Sequence, residues 1–325
     1  MVQPDLYQQH LETVRRSCAA LGIKSIEMLT AESAARTLME LASRLPGPPL
    51  ETYYEKNAWS AEDSSSLISC IRTSLDFLSR RGHFSDLGER ITTGVLSTLD
   101  TLETNFGLQI RRKVRDQVYG LYVIIDPLVT AGRDPLKIAE DSIKGGAKIL
   151  QLRDKKRDKG EGLDLARKIK ELCDGNGILL IINDHADVAN VTKAHGVHVG
   201  LHDLPIYEVR KLLRDDQIIG RSNHLAEEAL QADQEGADYI AVGAMYPTGS
   251  KNQPIVGGPD LLRVVKANVS PPVVAIGGIT TDRIPEVVGA GADAVCVISA
   301  VGLAQDPFTA TQDLVQSIIH AGGRA

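Results

Sequence analysis

Gln151, Arg153 and Lys155 stand two apart at the end of an apolar run, Asn183 and Asp184 end the next, and Asp203, Ser222, Thr248, Ser250 and Lys251 follow at the ends of later ones. Side chains at the carboxyl ends of successive parallel strands converge on one mouth, where a barrel of such strands carries its chemistry. Two-residue spacing lets Gln151, Arg153 and Lys155 share one side of the chain. Cations, carboxylates and hydroxyls gathered in this way suit a metal-bound diphosphate better than an apolar ligand. A diphosphate leaves readily only when its charge is neutralised, which calls for Mg2+ and cationic side chains around its oxygens. Asp184 and Asp203 supply the one or two carboxylates with which proteins usually hold Mg2+. Lys251, on a loop with Thr248, Gly249 and Ser250, adds a third cation.

Taken singly, Arg153, Asp154 and Lys155 read as a solvated loop, and Asp184 before a helix reads as an N-cap. Their joint placement is what favours a site. His185, His198, His202 and His224 crowd the same end without the spacing of a zinc site, so they read as satisfied or exposed histidines. A second cradle follows the last two strands, at Gly277-Gly278 and Ile298-Ser299-Ala300. Loops there often bind a phosphate through backbone N–H groups, and glycine lets the backbone come close. Two separate anion sites point to two phosphorylated substrates, one a diphosphate and one a monophosphate.

The elements that position these residues are eight short runs, Leu121–Ile125, Lys148–Leu152, Ile178–Ile182, Val197–Val199, Ile218–Gly220, Tyr239–Val242, Val273–Ile276 and Ala294–Ile298. They are nearly continuous in apolar residues, as strands covered on both faces are. Helical patterns alternate with them at Pro135–Lys144, Gly162–Cys173, Ala226–Glu235 and Ile284–Ala290. The expected fold is therefore α/β, a (β/α)8 TIM barrel over residues 116–325. A doubly wound open sheet is the structural rival, but it usually places a glycine-rich turn after its first strand, where this chain has Asp126-Pro127.

Residues 1–115 lack strand alternation and repeat Leu, Ile, Ala and Val at helical spacing over Leu11–Leu21, Ala31–Leu45, Ser65–Leu78 and Ile91–Leu102. A smaller all-α domain follows from that pattern, broken at Pro46-Gly47-Pro48-Pro49 and at Gly82-His83. Ser60-Ala61-Glu62-Asp63 can open a helix with a serine cap. Arg111-Arg112-Lys113-Val114-Arg115 reads as a solvated hinge, with a contact to phosphate or an acidic partner as the alternative. No chemistry is visible in this region; oligomerisation or docking of a partner is the role its amphipathic helices suggest.

The chain has 325 residues, enough for one barrel and one smaller unit. With 43% hydrophobic but only 4% aromatic residues, its core must be built from Leu, Ile, Val and Ala. A net charge of −6 gives no general attraction to nucleic acid, so anions must be held by local clusters. Four scattered cysteines form no metal-type pair and read as reduced thiols. No stretch reads as a signal peptide or membrane span, and the expected location is the cytoplasm.

From about Tyr119 onward the sequence resembles the thiamine-phosphate synthases. Gln151-Leu152-Arg153-Asp154-Lys155 is similar to that family's Gln-x-Arg-x-Lys segment, and Ile182-Asn183-Asp184 to its Asn-Asp. Gly196-Val197-His198-Val199-Gly200 leads into the second metal-binding Asp, here Asp203. Gly220-Arg221-Ser222-Asn223-His224 resembles the serine strand end. Pro247-Thr248-Gly249-Ser250-Lys251 resembles the Pro-Thr-x-Thr-Lys loop, and Ile276-Gly277-Gly278-Ile279 with Ile298-Ser299 the phosphate cradle.

The resemblance implies Mg2+-dependent joining of a hydroxymethylpyrimidine diphosphate to a thiazole phosphate, or its carboxylated form, by a dissociative route that releases pyrophosphate. By position it implies that Gln151, Leu152, Arg153, Asp154, Lys155, Asn183, Ser222 and Lys251 hold the pyrimidine diphosphate. Asp184 and Asp203 would hold the metal, and Thr248, Gly249, Ser250, Gly278, Ile298 and Ser299 the thiazole phosphate. Arg153, Lys155, Ser222 and Lys251 would act on the departing charge. Leu201, Ser250 and Ile125 stand where the family commonly has Gln, Thr and Thr. A thiazole tautomerase relative shares the barrel but needs no metal-diphosphate cluster. A binding or regulatory module would be expected to lose the metal carboxylates, which are present here.

Overall fold

The computed structural model describes residues 12–21, 38–39, 42–43, 60–80, 89–247 and 256–325. The chain divides into two compact units, Met1–Ile110 and Arg111–Ala325.

In the first unit the described residues other than Ser60 are helical. The helix Ala61–Arg80 opens on a reciprocal cap, in which Asp63 N donates to Ser60 Oγ at 3.1 Å and Ser60 N to Asp63 Oδ2 at 2.8 Å. Two orphan donors of the first turn are thereby satisfied. Ile68, Ile71 and Leu75, with Val95, Leu99, Leu102 and Phe106 of the helix Glu89–Arg115, recur three or four apart and are buried together with Val14, Cys18, Leu21 and Leu38. That spacing places one stripe of each helix in a shared core. The predicted breaks at Pro46–Pro49 and Gly82-His83 lie outside the described residues, as does most of Ala31–Leu45.

The expected solvated hinge at 111–115 is corrected. These residues are the last turn of Glu89–Arg115, and the unit boundary falls at Ile110/Arg111 rather than after 115. Arg111 is 6% exposed and its Nε donates to Asp238 Oδ1 at 2.9 Å. Asp238 also takes hydrogen bonds from Arg210 and from Ile219 N, the latter at 2.8 Å. A buried cation requires such a partner, so Arg111 belongs to the second unit by charge as well as by position. Arg112 and Lys113 remain exposed, and Arg115 is half-buried.

The second unit is a closed barrel of eight parallel strands in sequence order. They are β1 (Gly120–Ile125), β2 (Ile149–Leu152), β3 (Leu179–Asn183), β4 (Gly196–Val199), β5 (Ile218–Asn223), β6 (Tyr239–Val242), β7 (Val273–Ile276) and β8 (Ala294–Val297). β1 pairs with both β2 and β8, so the sheet has no free edge. Alternate side chains divide between two cores. Leu121, Val123, Leu150, Leu152, Leu180, Ile182, Val197 and Ile219 pack outward against the helices. Tyr122, Ile124, Ile149, Leu179, Ile181, Ile218, Tyr239, Val274 and Cys296 fill the interior, with Val114 and Val118 packed against them.

The helices Pro135–Lys144 and Pro307–His320 start alike, with Asp134 and Asp306 accepting from the backbone two residues on and proline at the first turn. β5 runs three residues beyond its expected end at Gly220, because hydropathy falls at Arg221 and Ser222 while the ladder to β6 continues, pairing Ser222 with Ala241. Gly220 itself is fixed by packing: a Cβ there would lie 1.9 Å from the Tyr239 ring.

Candidate active site

Every inward position at the top of the barrel continues the alternation of its strand. In β2 the inward series is Ile149, Gln151 and then Arg153; in β3 it ends at Asn183; in β4 it includes His198; in β5 it ends at Ser222. Arg153 ion-pairs with Asp126, which follows β1 and is 3% exposed. Asp126 also accepts from Leu128 N at 2.9 Å. The pair fixes the guanidinium of Arg153 on the mouth of β1 and β2.

Lys155 Nζ lies 3.2 Å from Asp184 Oδ2. Asp184 has a φ of 61° and its N–H donates to His198 O at 2.8 Å, so the backbone turns sharply after β3 and delivers the carboxylate to the mouth. Asp203, on the loop after β4, is anchored by Gly200 N at 2.7 Å. Burial, and then the hydrogen-bonded carboxylate of Asp203, push the Asp184 carboxyl above its ordinary value, with Lys155 pulling the other way. Two facing carboxylates that disfavour each other's charge form a site suited to a divalent cation. Among the described residues no cluster of three or more His, Cys, Asp and Glu that could hold a metal ion occurs, at this mouth or elsewhere.

Ser222, Gly278, Ile298 and Ser299 line one cavity of about 330 Å³. Gly278 has a φ of +66°, and a Cβ there would lie 2.8 Å from Pro247 O, so both its backbone and its place against the wall require glycine. The structure thus brings together Gln151, Arg153, Lys155, Asn183, Asp184, Asp203 and Ser222 on the strand ends, with Gly278, Ile298 and Ser299 in the cradle. Two expected residues are not brought to it by their side chains. Leu152 packs into the outer core. Asp154 binds its own loop, accepting from Arg157 Nη1 at 2.7 Å and from the backbone of Lys156 and Arg157. Partial burial acts against the Asp154 charge, but those hydrogen bonds outweigh it and hold the carboxyl below its ordinary value. Thr248, Gly249, Ser250 and Lys251 lie outside the described residues.

Sequence reasoning missed Asp126, Tyr122, Tyr239, Thr280 and Arg283. The two tyrosines join Gln151 and His198 in a buried chain: Gln151 Nε2 to Tyr122 OH at 2.6 Å, Tyr122 OH to Tyr239 OH at 3.1 Å, Tyr239 OH to His198 Nδ1 at 3.0 Å and His198 Nε2 to Ser222 Oγ at 2.8 Å. The signal was the two-residue parity of β1 and β6, hidden because strands buried on both faces show no hydropathic alternation. Thr280 and Arg283 line the cavity with the cradle. Arg283 Nη1 donates to Gly278 O at 2.5 Å, and its guanidinium lies 4.4 Å from the Tyr246 ring centre. His224, which also lines the cavity, is satisfied by Gly243 O at 2.5 Å from its Nδ1.

The sequence profile of the thiamine monophosphate synthase family matches residues 121–301. The chain belongs to that family.

Similar proteins agree. A thiamine-phosphate synthase of Shouchella clausii is 46% identical over 206 residues, which are 62% of this chain and 98% of that relative. One of Methanospirillum hungatei is 42% identical over 204 residues, again 62% of this chain and 98% of the relative. The solved thiamine phosphate pyrophosphorylase from Pyrococcus furiosus superposes with a TM-score of 0.60 at 33% identity, covering 65% of this chain and 100% of that one. Each relative is thus spanned almost whole by a part of this chain. Among the described residues no helix is long and apolar enough to cross a membrane.

Proposed function

We propose that the barrel is a thiamine-phosphate synthase: it joins a hydroxymethylpyrimidine diphosphate to a thiazole phosphate, giving thiamine phosphate and pyrophosphate. The observation that carries this reading is the pairing of two opposed carboxylates, Asp184 and Asp203, with Arg153 and Lys155 at the same mouth. Asp184 and Asp203 would hold Mg2+, which when bound neutralises the diphosphate and makes it a better leaving group. Arg153, Lys155 and Lys251 bind the diphosphate oxygens and stabilise the charge that develops on them. Gln151 and Asn183 orient the pyrimidine diphosphate, and the Ser222 hydroxyl donates to it. The backbone at Gly278, Ile298 and Ser299 holds the thiazole phosphate, to which Thr248 and Ser250 also bind. No protein nucleophile is required, because the pyrimidine-methyl cation left by departure of pyrophosphate is captured by the thiazole nitrogen.

The test is incubation of the purified chain with both substrates and Mg2+, following pyrophosphate and thiamine phosphate. Stoichiometric formation of both supports the reading; binding of either substrate without pyrophosphate release favours a binding module instead.

Arg283 extends the phosphate cradle in this reading, since it is the one Lys or Arg among the described residues lining the cavity. Arg283→Gln is expected to raise KM for the thiazole phosphate about tenfold, the scale of one charge-assisted hydrogen bond. KM for the pyrimidine diphosphate should stay as it was; an equal rise in both would assign Arg283 to packing.

For the first unit, oligomerisation or partner docking remains the proposed role, supported by amphipathic helices outside the region that relatives share. The chain without residues 1–110 is expected to keep turnover within about twofold, a difference of under about 0.5 kcal/mol. Its mass in solution, compared with that of the full chain, tests the association; identical stoichiometry would remove that role.

A further inference from the structure

The buried chain from Gln151 to Ser222 has a direction, and the direction has a consequence for the mouth. Gln151 is 2% exposed and enters with its amide nitrogen, which can only donate. Tyr122 therefore accepts with its phenolic oxygen and has one proton left, whose partner is Tyr239 OH. Tyr239, having accepted, gives its own proton to His198 Nδ1. A neutral imidazole that accepts at Nδ1 carries its proton on Nε2, and that proton faces Ser222 Oγ. Both phenols are driven up in pKa, first by burial, so each keeps the single proton that this relay uses. In the reverse order the Tyr122 proton would meet the Gln151 amide nitrogen, a second donor. The ring of His198 is stacked on Tyr239 at 5.7 Å between centres, and Tyr239 meets Tyr122 edge-on at 6.3 Å, so no member can swing away without breaking the packing of the barrel interior.

We infer that Tyr122, Tyr239 and His198 are positioning residues which fix the Nε2–H tautomer of His198, so that Ser222 accepts from the imidazole and directs its own hydroxyl proton into the mouth as a donor to a substrate anion. This rests on the proposed diphosphate chemistry only for the identity of the anion. A serine whose oxygen is already occupied by a donor cannot rotate its proton toward the histidine, so it faces a developing negative charge without reorganisation.

The experiment combines nitrogen NMR with kinetics. In the chain labelled with 15N-histidine, the His198 signals, assigned by their loss in His198→Gln, are expected to show Nδ1 as the unprotonated nitrogen and Nε2 as the protonated one. Tyr239→Phe, which keeps the ring but removes the donor, is expected to lower kcat about tenfold while leaving KM for the thiazole phosphate unchanged. Ser222→Ala combined with Tyr239→Phe should be no slower than Ser222→Ala alone, because both act through one proton. A protonated Nδ1, an unchanged kcat in Tyr239→Phe, or fully additive losses would each overturn the inference. Failure of the wild-type chain to release pyrophosphate would count against the proposed function instead, and the nitrogen signals would then decide the direction of the relay by themselves.

Discussion

Asp184→Asn, assayed with both substrates and Mg2+, is expected to release pyrophosphate about a hundred times more slowly than the wild-type chain, the scale on which a preorganised charge contact matters. Asn is the informative replacement because Asp184 has a φ of 61°, and Asn is among the few residues that take up left-handed backbone without much cost. The shape of the turn after β3 is thus kept while one of the two opposed charges is lost.

Metal-free stability separates this effect from misfolding. Burial, and then Asp203, raise the folded-state pKa of Asp184, so the folded chain holds that proton more tightly than the unfolded chain does. The metal-free fold therefore loses stability as pH rises from the ordinary carboxylate value through the raised one, and at neutral pH the charge is a liability. Removing it should leave Tm in chelator equal to wild type or higher. Mg2+ should raise Tm of the wild type and raise that of the variant far less. Undiminished turnover, or the same Mg2+ response in both proteins, would remove Asp184 from the metal site.

Asp238→Ala is expected to destabilise the barrel by about 3–5 kcal/mol, the cost of leaving a buried cation without its partner. Asp238 is 2% exposed and receives Arg111, Arg210 and Ile219 N. Its loss strands the guanidinium of Arg111, whose side chain is 7% exposed, and frees an N–H of β5 inside the protein. A fall in Tm of about 10 °C follows for a unit of this size. Denaturant midpoints of the full chain, read by a barrel signal such as tyrosine fluorescence, check it. A shift worth less than about 1 kcal/mol would mean that water reaches Arg111 and that the network is a surface feature.

The sequence and the structure agree most closely where short-range physics decides. β6 and β7 have the bounds read from their apolar runs, as does the helix Pro135–Lys144, which Asp134 and Pro135 start by local hydrogen bonding and fixed φ. Agreement fails where hydropathy is silent. β5 runs on through Arg221, Ser222 and Asn223 because its partner strand continues to offer backbone groups, something no residue of β5 reports. Arg111 looked solvated in a run of basic residues; its partner Asp238 is 127 residues away.

The chemistry of the mouth follows the same division. Residue types at strand ends are sufficient to call for cations, two carboxylates and a phosphate cradle, since strand parity and the polarity of parallel strands send them to one place. By itself, then, the sequence determined the barrel and which charged residues end its strands. Only the closed sheet decided which groups touch: that Arg153 is held by Asp126, that Asp154 turns back to Arg157, and that two tyrosines and a histidine link Gln151 to Ser222. The reason is geometric, because a strand fixes which way its own side chains point, whereas what they meet across the barrel interior depends on closure and register between strands far apart in the chain.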